Sequence, residues 1–213
     1  FDSRPQVLAE LESATAAQIA AEPVFAACGI PLAVRIGGPL LARFVNALPA
    51  AWRLPGADVR VGVERNELSP GWNPCAVNFH MDGTSRIDKR ADGHPDLVAP
   101  GRTVEQILVC FGEGAPTRFL VGAIELPEPP LGDRALASGA RWQTLLAAGI
   151  AKGKLVEWTA PPNAMIQFGH GDFHTGSVSQ TPGWRCFIKA MRFRRDPLPA
   201  APTFHEHATI TWP

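Results

Sequence analysis

The feature that most constrains this chain begins after Pro55-Gly56. From there, short runs rich in β-branched and aromatic residues recur, and glycine or proline bounds each one. DVRVGVER (58–65), PCAVNFHM (74–81), TVEQILVCFG (103–112) and TRFLVGAIEL (117–126) come first. KLVEWTA, NAMIQFG, DFHTGSVS and WRCFIKAMRF follow residue 153, and ATITW (208–212) is a further candidate. Such residues fit a pleated, half-buried surface, while glycine and proline punctuate it with turns. The 21 prolines and 20 glycines of the chain suit many short strands. Eight core strands at regular turn spacing predict a double-sheet jelly roll or cupin-like barrel rather than alternating βαβ units.

Three stretches read as helices. PQVLAELESATAAQIAA (5–21) is alanine- and leucine-rich, with Pro5 where a first turn tolerates it. GPLLARFVNAL (38–48) is the second, and ASGARWQTLLAAGIAKG (137–153) is the third, ending at Gly153. The class is therefore mainly β with flanking helices. There is no repeat, low-complexity segment or linker, so residues 1–213 read as one domain. It comprises a helical part at about 1–55, a jelly-roll core at about 58–194 and a C-terminal extension over 195–213.

Twenty basic and twenty acidic residues cancel, which removes the electrostatic basis for nonspecific nucleic-acid binding. No apolar run approaches the roughly 20 residues of a membrane helix, and no signal peptide is visible. Cys28, Cys75, Cys110 and Cys186 are far apart with no CxxC pair. They read as core thiols in a reducing, cytoplasmic compartment. Oligomeric state is not legible.

The chemistry starts at NFHMD (78–82). Alternate strand residues share a face, so Asn78, His80 and Asp82 point one way and Val77, Phe79 and Met81 the other. An imidazole and a carboxylate about 6–7 Å apart at the backbone converge on one metal. A second imidazole completes a two-His-one-carboxylate facial set, the signature of non-haem Fe(II) oxygenases. The bland reading is an HxD on a polar sheet face. For the second imidazole, His174 lies within a strand, whereas His170 sits between Gly169 and Gly171 in a turn; rigid support favours His174. His94 lies in a polar loop, and His205 and His207 lie near the C-terminus.

Thr181-Pro182-Gly183 then separates His174 from Arg185 on the next strand. A keto-diacid chelating the metal through its keto-acid end needs a cation at its far carboxylate. A guanidinium that stays charged and binds carboxylate bidentately suits that place. The alternative is an arginine reaching solvent beside Trp184.

His80-x-Asp82, then His174, then Arg185 after ten intervening residues resembles the Fe(II)/2-oxoglutarate-dependent oxygenase superfamily. The resemblance covers residues 58 to 194. It implies a double-stranded β-helix, with Fe(II) held by His80, Asp82 and His174 and the 2-oxoglutarate distal carboxylate held by Arg185. It also implies O2-dependent cleavage of 2-oxoglutarate to succinate and CO2, coupled to oxidation of a substrate. Many members carry a hydroxyl two residues after the arginine, where this chain has Phe187. Lys189, on the same strand face, is the second candidate anchor, and Asn78 is a further candidate contact for the co-substrate. A carboxylate at Asp82 favours hydroxylation or desaturation over halogenation.

Neutral charge and small size favour a small-molecule substrate, amino-acid-like or a natural product. The loop from Gly83 to Arg102 reads as a lid, with Thr84 and Arg86 nearest the substrate. Rival readings are a peptide or protein side-chain hydroxylase, a cupin-like metal enzyme that does not use 2-oxoglutarate, and a jelly-roll binding module.

Overall fold

The computed structural model describes residues 2–75, 78–80, 104–112, 114–126, 135–169 and 171–193. The chain is mainly β, in two antiparallel sheets with helices outside them. In chain order come β1 (Asp2–Ser3), β2 (Gln6–Glu10), α1 (Ala16–Ala21), β3 (Phe25–Gly29), α2 (Ile30–Ile36), α3 (Pro39–Ala47) and α4 (Ala50–Arg53). There follow β4 (Val59–Leu68), β5 (Val104–Phe111), β6 (Thr117–Ala123), α5 (Ala135–Ala151), β7 (Leu155–Thr159), β8 (Ala164–Gly169), β9 (His174–Gly176) and β10 (Gly183–Phe193).

The larger sheet has the order β2-β8-β5-β10-β4-β3. In the smaller sheet β6 is central. β7 pairs along one edge, and β1 and β9 pair along the other at different registers. A bridge between His80 and His174 adds the His80 segment beyond β9.

The alternation of β10 explains the layering. Cys186, Ile188 and Ala190 enter a cluster with Leu40, Phe44 and Trp52, between the larger sheet and the N-terminal helices. Phe187, on the other face, packs on a second cluster between the sheets, built from Leu108, Phe119, Ile166 and Phe168. Leu120, Leu146, Leu155 and Phe173 form a third cluster beneath α5. Burying apolar side chains at about 25 cal/mol per Å2 makes these three seams the main source of stability.

The N-terminal region departs from the sequence reading. The expected helix over 5–21 is a strand at 6–10 followed by a helix of six residues only. Intrinsic helix preference is a weak prior that pairing overrides. Gln6 to Glu10 satisfy the edge of β8, with register pairs from Gln6↔Gln167 to Glu10↔Ala164. Thr15 then starts α1 with a capping box: its hydroxyl accepts from Gln18 N–H while the Gln18 side chain accepts from Thr15 N–H. The strand at 25–29 and helix at 30–36 were likewise not expected. Helix 38–48 and helix 137–153 are found as α3 and α5, within three residues at each end.

α3 starts in an unusual way. Glu22 is fully buried, and its carboxylate accepts from the N–H groups of Gly38, Leu40 and Leu41 at 2.9, 3.0 and 3.0 Å. A remote acid thus does the work of an N-cap, where exposed N–H groups favour negative charge. Arg65 braces the same segment, donating to the carbonyls of Ala20 and Glu22. Among the described residues no helix is long and apolar enough to cross a membrane.

Candidate functional site between the sheets

His80 and His174 face each other as a directly paired couple. His80 N–H donates to His174 O at 3.0 Å, and His174 N–H donates to His80 O at 2.9 Å. Opposed residues of an antiparallel pair project to the same side, and the ring centroids lie 4.6 Å apart. Each Nδ1 lies near the carbonyl two residues earlier: His80 to Asn78 O at 3.0 Å and His174 to Asp172 O at 3.1 Å. A carbonyl only accepts, so each contact places the proton on Nδ1 and the lone pair on Nε2. That is the tautomer in which an imidazole ligates a metal, its ring oriented by the other nitrogen.

Both rings are held from behind. Phe79, beside His80, packs into the cluster under α5, and Gln143 Nε2 of α5 donates to Phe79 O at 2.5 Å. The opposite orientations of Phe79 and His80 are those the alternation predicts. His174 is buried against Phe168 and Phe119, at ring distances of 5.0 and 5.7 Å. The turn before it is closed by Asp172, whose carboxylate accepts from Gly169 N–H at 2.6 Å.

Arg185 is 3% exposed. It shares the inter-sheet face of β10 with Phe187, and its guanidinium stacks 5.0 Å from that ring. Its Nε donates to Ala115 O at 2.9 Å. Among the described residues no carboxylate lies within ion-pair distance of it. Lys189 is on the same face, half-buried, with Nζ 5.9 Å from the Phe187 ring. Asn78 is exposed, and its carbonyl is the atom that orients His80.

Sequence reading missed a set of buried polar atoms on these same strands. Thr117 Oγ1, Asn66 Oδ1 and both side-chain atoms of Gln106 have no hydrogen-bond partner among the described residues. Asn66 lies opposite Arg185 in the β4–β10 ladder. Thr117 is two residues beyond Ala115, the acceptor of Arg185, and shares a face of β6 with Phe119. Strand alternation puts Thr117 and Gln106 on the faces that also carry core residues between the sheets, but their unmatched polar atoms show only in the structure.

Asp82, Thr84, Arg86, His170, the rest of the 83–102 loop and ATITW lie outside the described residues, as do His94, His205 and His207. Among the described residues no three His, Cys, Asp or Glu side chains gather as a metal site; the described part of the expected set is the histidine pair. Its donor chemistry fits a divalent transition metal that accepts imidazole nitrogen. No family model, curated protein or solved structure matches the chain.

Proposed function

We propose that this chain is an Fe(II)- and 2-oxoglutarate-dependent oxygenase built on a double-stranded β-helix. Strand order supports the fold. With the His80 segment counted as the second of eight strands, β4-β10-β5-β8 gives 1-8-3-6, and His80-β9-β6-β7 gives 2-7-4-5. That interleaving is the jelly-roll order, in which two Greek keys close on one another.

The observation that carries the function is Arg185. A guanidinium taken from water without a counter-charge is costly, and an anionic ligand offsets that cost. Arg185, ten intervening residues after His174, stacks on Phe187, which packs in the same inter-sheet cluster as Phe168, the ring against His174. A 2-oxoglutarate that reaches the metal with its keto-acid end sets its other carboxylate against this guanidinium. The Thr117 hydroxyl, buried and without a partner among the described residues, supplies the second donor that Phe187 lacks.

In this reading His80, Asp82 and His174 hold the iron. Iron, O2 and 2-oxoglutarate together supply the oxidation of a substrate C–H bond. The chain's own part is to fix the imidazole tautomers through the carbonyls of Asn78 and Asp172, to anchor the co-substrate and to exclude water with Phe119 and Phe168. The substrate is a small molecule, hydroxylated or desaturated at a position that Thr84 and Arg86, in the segment from Gly83 to Arg102, help to select.

Anaerobic titration with Fe(II) and then 2-oxoglutarate tests this. A visible charge-transfer band that needs both additions is the expected result. It disappears in His174→Ala and persists in His170→Ala. Metal binding with no response to 2-oxoglutarate indicates a cupin-like metal enzyme instead, and absence of both indicates a binding module.

A further inference from the structure

Gln106 stands apart from the anion anchor. It is completely buried, yet among the described residues neither Nε2 nor Oε1 has a hydrogen-bond partner. An unmatched buried amide forfeits about 1–3 kcal/mol for each group left unpaired. Gln106 shares the inter-sheet face of β5 with Leu108, a member of the cluster between the sheets. Its neighbours across the ladders are Phe168 of β8 and Met191 of β10. Phe168 is the ring in edge contact with His174. Gln106 is thus one strand removed from the residue that touches the metal-binding imidazole. Arg185 lies toward the other end of β10, which pairs with the far end of β5.

The two polar atoms have opposite demands. A carboxylate satisfies Nε2 but brings its lone pairs against Oε1. An ammonium satisfies Oε1 and leaves Nε2 orphaned. A group that carries an N–H beside a C=O answers both at once, in the paired geometry that two amides adopt. We infer that Gln106 determines substrate specificity by a paired hydrogen bond to an amide, lactam or peptide group of the substrate, next to the C–H bond that is oxidised. The inference rests on the oxygenase reading for the reaction; recognition of the amide rests on Gln106 alone. Gln106 is fully buried, so binding requires its neighbours on the inter-sheet face to move; Met191 lies directly opposite it on β10.

The test uses four small rings of nearly one shape: 2-pyrrolidinone, N-methyl-2-pyrrolidinone, cyclopentanone and pyrrolidine. Saturation-transfer NMR on the full chain reads their binding without metal, so failure of the iron reading leaves it intact. Adding Mn(II) then reports, by paramagnetic broadening, whether the bound ring lies beside the histidine pair. The expected result is that 2-pyrrolidinone binds at least fivefold better than the other three. Gln106→Leu should level the four, and Gln106→Glu, which keeps an acceptor and loses the donor, should turn the preference to pyrrolidine. Melting temperature separates this from a structural role. An amide with no protein partner is replaced by leucine at no loss, so Gln106→Leu should melt at or above the wild-type temperature. Equal binding of lactam and ketone by the wild type, unchanged selectivity in Gln106→Leu, or a melting temperature lowered by 5 °C or more (roughly 1–2 kcal/mol) each overturns the inference. Selective binding of 2-pyrrolidinone without broadening by Mn(II), in protein that binds Mn(II), also overturns it, because the amide site would then be remote from the chemistry.

Discussion

The two faces of β10 treat buried polarity in opposite ways. Toward the helices, Cys186, Ile188 and Ala190 meet an apolar layer in which the fully buried carboxylate of Glu22 accepts three backbone N–H groups. Toward the other sheet, among the described residues, Arg185 has a carbonyl but no carboxylate, and Asn66, Thr117 and Gln106 keep side-chain atoms with no partner. Native interiors leave few such groups, and those that remain call for a reason. One face is optimised for folding. The other keeps unpaired groups that the proposed ligand would meet.

The largest effect expected from this contrast is at Glu22. Glu22→Ala strips three N–H groups of their acceptor at a buried helix start and should cost about 3–5 kcal/mol. Urea unfolding monitored by tryptophan fluorescence measures it, and a loss under 1 kcal/mol would erase the difference between the two faces. Next is Arg185. Arg185→Met should weaken 2-oxoglutarate about thirtyfold or more, equivalent to at least about 2 kcal/mol. It should change unfolding stability by no more than about 1 kcal/mol. If stability falls as it does for Glu22→Ala and 2-oxoglutarate binding is unaltered, the inter-sheet face is structural and the anchor moves to Lys189.

The smallest effect appears only in alkali. The Cys186 thiol is pushed from the usual 9.0 up to about 12, by burial first, then by the Glu22 carboxylate and Cys110, against the opposing pull of Arg185 and Arg65. An unfolded thiol ionises near 9 and the folded one near 12, so folding favours the neutral form. Its contribution is complete below pH 9 and falls away as pH rises from 9 toward 12. Cys186→Ala should therefore show a flatter decline in stability than wild type across that window, and the same slope below it.

How much of this was readable in advance depended on whether neighbours in sequence carried the information. β5, β6 and β10 announce themselves, because β-branched and aromatic residues alternate between turns. Phe79 and His80 could be assigned opposite faces by the same rule. β2 could not be found this way: Val7, Leu8 and Ala9 suit a helix equally well, and only the vacant edge of β8 decides. The short β9 shrank from an expected eight residues to three, since Asp172 spends itself on closing the turn at Gly169. Spacing marks Arg185 as a candidate; its burial and its place beside Phe187 come from the structure. Gln106 was passed over, because a glutamine in a strand is unremarkable until every atom around it is known to leave it unanswered.

β1 and β2 are two residues apart, yet they belong to different sheets. Ser3 lies against Gly122 in one, and Gln6 against Gln167 in the other. The first ten residues therefore lace the margins of both sheets, through partners more than a hundred positions away. Contacts of such span close slowly. On a ribosome, β2 must wait for β8, made more than a hundred residues later, before its ladder can form. Until then Val7 and Leu8 sit on an unzipped edge, and this stretch is where refolding yield should be most sensitive to protein concentration.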